Sequence, residues 1–282
     1  MSRRYGRLYE IRVNGESVLP MRTDRNLRVT FAVDVDFGGV NSYADLSVFN
    51  LSELGRARYP VGTRIEILAG YEGDYGSIFS GQIRNIFPGR SGAATETRVI
   101  CRGVTARSTI NRSFGKNTDI VTLLRAISDS LGVPLEVSVG DFTEDPKYSS
   151  GYTLSGDSLQ YLTGLSYTHS FSFAFESERL VVVKNGKYRQ GPAEQIDQFS
   201  GMEGIPVITE IGADVSVRLS PKYRIGGRFQ ITSALKSFNF SNVFFQDVPQ
   251  SAGTGVYRIQ RVQYSGDSHG DPWTVQLSGV RA

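Results

Sequence analysis

Apolar and polar residues alternate with a period of two along much of the first hundred positions. Leu27, Val29, Phe31, Val33 and Val35 fall on one side and Arg28, Thr30 and Asp34 on the other, with Ala32 among them. That period marks a strand with one buried face. Ala44, Leu46 and Val48 repeat it, and Leu8–Val13, Arg64–Tyr71, Ser77–Phe87 and Thr97–Gly103 read as further strands. Asn50-Leu51-Ser52 predicts one short helical turn over Glu53–Arg58, with Ser52 accepting from the free amides of its first turn. Six short strands without a long helix describe a barrel or a sandwich.

The period then changes. Ile120, Leu123, Leu124, Ile127 and Leu131 share one face of a helix over Asp119–Leu131, with Asn117 or Thr118 able to cap its start and Gly132 at its stop position. Pro134–Val139 reads as a short strand. Ser158–Tyr167 is a second amphipathic helix carrying Leu159, Leu162 and Leu165. Phe171–Phe175 and Leu180–Val183 pair as a hairpin across Glu176–Arg179, and the polar stretch Asn185–Gln198 reads as a linker. From about Gly204 the chain is β again, in Val207–Ile211, Ala213–Leu219 and Gly227–Ile231, with a break at Ser220-Pro221-Lys222-Tyr223. It closes on a hairpin. Val256, Arg258, Gln260, Val262 and Tyr264 lead into the polar turn Ser265–Asp271, and Trp273, Val275 and Leu277 lead out. Ser237–Gln250 reads as an aromatic loop. The expected fold is mainly β, with two β-barrel-like domains, 1–108 and 199–282, flanking a small α+β module at 109–198.

Composition fits that picture. With 39% hydrophobic and 21% charged residues, the 282-residue chain can build packed cores. Its 31 Gly, 16 Phe and 14 Tyr lean towards strands and turns. The single cysteine, Cys101, leaves no disulfide framework and no thiolate cluster, which suits a reducing cytoplasm. The basic N-terminus has no apolar run behind it, so a signal peptide is not expected, and no segment approaches the ~18 apolar residues of a membrane helix. A net charge of +3 is too small to imply nucleic-acid binding. Up to Arg112, however, there are 16 Arg, no Lys and 11 acids. Arginine suits desolvated interfaces; codon bias in a GC-rich genome would give the same excess.

Four groups could carry chemistry. Gly156-Asp157-Ser158-Leu159 spells a hydrolase motif with Ser158 as nucleophile. The Asp-x-x-His partner is missing, since the histidines are His169 and His269, so Asp157 or Ser158 is expected to cap the second helix instead. Asp267, His269 and Asp271 alternate as metal ligands can, but on a turn whose Asp side chains serve their own backbone. The acid pairs Asp141/Asp145 and Glu72/Asp74 fit ordinary surface loops. Phe238, Phe240, Phe244 and Phe245 could stack bases or sugars, though anchoring on a core or a subunit explains them better. No phosphate-binding or cofactor fingerprint is present. The expectation is therefore no catalytic, cofactor-binding or metal site.

Four segments, in order, resemble the baseplate hub proteins of tailed phages, including the late-control-D-like group. They are Asn41–Ser52, Ile67–Gly73 followed by Ile78–Ile83, Tyr152–Gly156, and the closing Gly255–Ile259, Gly266–Asp271 and Trp273–Leu277. The end of the first barrel and Ser237–Gln250 depart from that pattern. The resemblance implies a structural virion protein assembled in the bacterial host cytoplasm. It implies a homotrimer, with two similar barrels per chain giving six lobes, that adapts a hexameric tail tube above to a trimeric spike below. Wedge and tape-measure proteins are further partners it allows, with no membrane and no specific nucleic acid. A tail-tip component binding a receptor or polysaccharide is the alternative, and a serine hydrolase using Ser158 a more distant one.

Overall fold

The computed structural model of the chain describes residues 6–19, 27–38, 42–103, 108–239 and 255–281. The first segment supplies β1 (Arg7–Val13), β2 (Glu16–Leu19), β3 (Val29–Asp36), β4 (Tyr43–Phe49), the short helix α1 (Glu53–Arg56), β5 (Arg64–Tyr71), β6 (Asp74–Ser91) and β7 (Ala94–Arg102). The middle holds β8 (Thr109–Phe114), α2 (Ile120–Leu131), β9 (Leu135–Val137), β10 (Tyr152–Asp157), α3 (Ser158–Thr168), β11 (Phe171–Glu176) and β12 (Arg179–Lys184). The remainder holds β13 (Ala193–Ile196), β14 (Met202–Thr209), β15 (Gly212–Arg218), β16 (Arg228–Ile231), β17 (Ser237–Asn239), β18 (Gly255–Asp267) and β19 (Trp273–Arg281). The chain is mainly β with a small helical part, as the alternation predicts.

Fourteen strands form one sheet, and its central pair joins the two ends of the sequence. β3 and β18 run antiparallel, from Arg261 opposite Asp36 to Asp267 opposite Thr30. Reading outward from that pair, the order is β3, β4, β7, β6 on one side and β18, β19, β15, β14 on the other. Each half is two hairpins laid side by side. The apolar half of each alternation faces a single core that runs from Tyr9 and Ile11 in β1 to Val275 and Leu277 in β19. Strands from the first and last parts of the chain thus share a sheet and a core, and among the described residues no closed barrel is found.

The middle segment has a second core. α2 buries Ile120, Leu123, Leu124, Ile127 and Leu131, the face the spacing predicts, against Leu162 and Leu165 of α3. Its cap is Asp119, whose carboxylate accepts from the Thr122 amide at 2.7 Å. Thr118 instead donates to the Gly115 carbonyl. The hairpin β11–β12 lies between the two cores. Phe171, Phe173, Phe175, Leu180 and Val182 point to the helices, while Ala174, Val181 and Val183 point to the main core. Burial on both faces explains the unbroken apolar run of β12.

Several expectations need correction. The stretch 185–198 contains β13, which pairs in parallel with β16 and buries Ile196 completely. With Ile196 its one large apolar residue, its strand character comes from backbone bonding that side-chain patterning does not record. The loop 237–250 begins as β17, parallel to β14, with Phe238 beside Ile208; Phe240, Phe244 and Phe245 lie outside the described residues. β2, β8 and β10 are additional short strands. The helical turn is shorter than expected and ends at Arg56, with Ser52 accepting from the Gly55 amide as anticipated. In β18 the ladder slips between Ile259 and Arg261, leaving Gln260 as an extra residue. Tyr257 and Ile259 are therefore buried before the slip, and Val262 and Tyr264 after it.

Candidate assembly surface

The face of the large sheet away from the core is polar across both halves. On β18, Gln263 stands between Asp34 of β3 and Gln276 of β19, and Ser265 between Ala32 and Thr274. Charges on this face are paired locally. Asp34 accepts from Arg261 and, at 3.1 Å, from Gln263, and Asp45 accepts from Arg98. Ser47 donates to Glu96 at 2.6 Å. The effect of these pairs is to leave a hydrophilic surface with little free charge. Tyr43 and Phe87 are its exposed aromatics, at 48% and 53%.

The hairpin turn at Asp267–Pro272 is a clamp between the ends of the chain. Arg7 donates to the carbonyls of Asp267, Gly270 and Asp271. Arg28 grips both carboxylate oxygens of Asp267, at 3.2 and 2.7 Å, and the His269 amide donates to one of them at 2.9 Å. Burial would raise the Asp267 pKa, but these donors hold it below the usual carboxylate range. Ser268 accepts from the Val29 amide. Below the turn, the fully buried Trp273 donates its indole N–H to the Gly70 carbonyl at 3.2 Å and meets the edge of Phe31 at 5.3 Å. Asp267 is thus committed to Arg28 and its own turn. Among the described residues no cluster of His, Cys, Asp and Glu could hold a metal ion.

The other candidates are also built into structure. Asp157 is the cap of α3, accepting from the amides of Leu159 and Gln160 at 2.8 and 2.9 Å. Ser158 follows it, fully buried, with its hydroxyl 2.8 Å from that of Ser130. Asp74 accepts from Ser220 at 3.0 Å. Asp145 of the Asp141/Asp145 pair joins a network that spacing gives no hint of. It accepts from Lys184 and from Nδ1 of His169, the latter at 3.0 Å. Because a carboxylate only accepts, Nδ1 carries the proton, and Nε2 accepts from the Tyr148 hydroxyl at 2.8 Å. Burial lowers the His169 pKa and raises that of Tyr148. Cys101 is fully enclosed, and burial pushes its thiol up to about 12.

Exposed apolar side chains gather at one end of the sheet, where Ile205 of β14 is 52% exposed, Leu235 68% and Phe238 of β17 45%. A cleft of about 660 Å³ opens between β5, β6, the end of α2 and the β11–β12 turn. Arg64, Gln82, Glu178 and Arg179 line it, with no aromatic ring among the described residues for a sugar to stack on.

A protein-family model described as Baseplate hub gp41 matches residues 43–279. No curated protein sequence matches the chain. Among solved structures, the tail protein from Neisseria meningitidis MC58 aligns over 98% of this chain and 97% of its own, at 11% identity and a TM-score of 0.63. The 43 kDa tail protein of prophage MuSo2 from Shewanella oneidensis aligns over 97% of this chain and 98% of its own, at 11% identity and a TM-score of 0.60. An E. coli component of the type VI secretion system, described as structurally similar to the T4 bacteriophage tail proteins gp27 and gp5, aligns over 97% of this chain and 77% of its own. Its identity is 8% and its TM-score 0.55. At such identities these likenesses concern the fold. The family model reaches from β4 to β19, across both halves of the sheet and the module between them, and this chain belongs to the baseplate hub gp41 family of phage tail proteins.

Proposed function

We propose that the chain is the structural hub of its tail baseplate: a homotrimer that joins a sixfold tail tube to a threefold spike, without catalysis. The observation that carries this reading is the matched pair of four-strand units, β3–β4–β7–β6 and β18–β19–β15–β14, fused through β3 and β18 under one polar face. Three chains would offer six such units to the tube while keeping threefold symmetry for the spike. Segments 1–108 and 199–282 act as the two tube-facing lobes, and 109–198 as the module braced between them.

The ends of that run suit ring closure. All neighbouring pairs in it are antiparallel, so β6 and β14, at its two ends, point in opposite directions. Copies set end to end would continue the antiparallel order. No described strand lies beyond β6 from Asn85 to Ser91, or beyond β14 from Met202 to Pro206. Exposed strand edges are commonly covered by a neighbouring subunit, and apolar side chains such as Phe87 and Ile205 add contact area there. The polar face would then line the axis. Tape-measure and wedge proteins are further neighbours on this reading.

Cysteines at Phe87 and Ile205 in one chain test the closure. Oxidation within assembled particles should give a ladder that stops at three chains. No cross-link, or a ladder running past three, sinks this arrangement.

A further inference from the structure

β16 and β18 place Arg228 directly opposite Arg258. Like charges facing across an antiparallel ladder destabilise it, and burial adds to the cost. Arg258 is only 7% exposed, and no carboxylate among the described residues touches it. Its guanidinium reaches the Lys184 carbonyl at 3.4 Å and Gln260 at 3.5 Å, long for hydrogen bonds, and lies 5.5 Å from the centre of the Phe37 ring. Burial lowers its pKa, whereas Arg28 and Arg261, which hold carboxylates, have theirs raised. Arg228 donates to the Gly191 carbonyl and lies against Tyr188, yet its Nε is buried with no hydrogen-bond partner. Compare Arg189, whose donors are filled by Glu136 and Glu176.

Arg228 also forms part of the wall of a cleft of about 280 Å³. Lys222 and Arg224 stand there beside it. The cleft's two carboxylates are already engaged, Glu136 by Arg189 and Glu194 by Lys222. No carboxylate hydrogen-bonds Arg224 or Arg228 among the described residues. The cleft thus has surplus positive charge and, in Arg228, a buried Nε without a partner, while Arg258 faces Arg228 across the ladder.

We propose that this cleft is an oxyanion-binding site with Arg228 in its wall, backed across the ladder by Arg258, and that it takes a phosphate or a carboxylate. A planar guanidinium fork is suited to either group, and Arg224 and Lys222 would draw the anion in. The oxyanion could be free phosphate or an acidic side chain of a neighbouring chain. The proposal is independent of the trimer.

Thermal unfolding of the full chain tests it, using inorganic phosphate and succinate as probes against sodium chloride at equal ionic strength. At least one probe should raise the Tm saturably, and Arg228→Gln should weaken the apparent affinity tenfold or more. Arg224→Gln, at the mouth, should weaken it about threefold. Phosphate acting alone indicates a phosphate ligand, and succinate acting equally well a protein carboxylate. Without added anion, Arg228→Gln should be at least as stable as the parent, because it removes the opposed charge. A parent protein that neither probe stabilises beyond chloride overturns the proposal. So does stabilisation undiminished in Arg228→Gln, or a clear loss of stability in that variant without anion.

Discussion

Gly266→Ala tests whether the first and last segments form one packed unit. Gly266 in β18 faces Phe31 in β3 across the central strand pair. A Cβ there would lie no farther than 2.8 Å from three atoms of the Phe31 ring. The ring is 4% exposed and held against the buried Trp273, so it cannot simply swing away. Overpacking of this kind costs about 1–3 kcal/mol. Replacing glycine recovers roughly 0.4–1 kcal/mol through the unfolded chain. The expected net loss is about 1–2 kcal/mol. Phe31→Leu alone should also destabilise, through lost ring area and the lost edge contact with Trp273, the latter about 0.5–1.5 kcal/mol. In the double variant the new methyl occupies part of the vacated space, so the two losses should fall short of their sum by about 1 kcal/mol or more. Urea unfolding followed by the fluorescence of the single tryptophan reads this directly. Losses that add to within about 0.5 kcal/mol would refute the packing argument.

His169 gives a pH test. Its folded pKa lies below the ordinary 6.5, so the unfolded chain binds the extra proton first. Its contribution is full above about 6.5 and is lost as pH falls through the lowered value; between pH 7.5 and 5 the parent should lose more stability than His169→Gln, and equal losses contradict this. Asp157→Ala removes the α3 cap and should cost about 1 kcal/mol. Ser158→Ala removes one buried hydroxyl contact, at a cost on the order of 1 kcal/mol, and should leave particle assembly intact; esterase turnover abolished by that change would show a nucleophile instead. Zinc, calcium or manganese should not raise the Tm at concentrations that saturate specific sites, and a rise lost in His269→Ala would establish a metal site at the hairpin tip.

Much of this fold is legible where side chains alone report burial. β3 and the α2 face follow directly from periods of two and about 3.6, because one side of each element meets a core. Two kinds of feature escape. β13 and β17 are held by parallel backbone pairing to distant strands, and their residues carry little apolar pattern. The bulge at Gln260 reverses the phase of β18 midway, so a reading of uniform alternation places the buried Tyr257 and Ile259 on the polar side. His169 lies more than twenty residues from Asp145 and Tyr148, and Arg228 thirty from Arg258, so no local spacing marks either group. The turn at Asp267–Asp271 shows the opposite case. Its residue types announce a tight turn, but its grip by Arg7 and Arg28 is a product of tertiary structure.

Averaged images of the tail tip, with this protein labelled, test the hub role most directly. Three copies on the tail axis, at the junction of tube and spike, with the β3–β18 sheet face turned inward, are the expected result. Six copies, or density at the periphery of the baseplate, would contradict it.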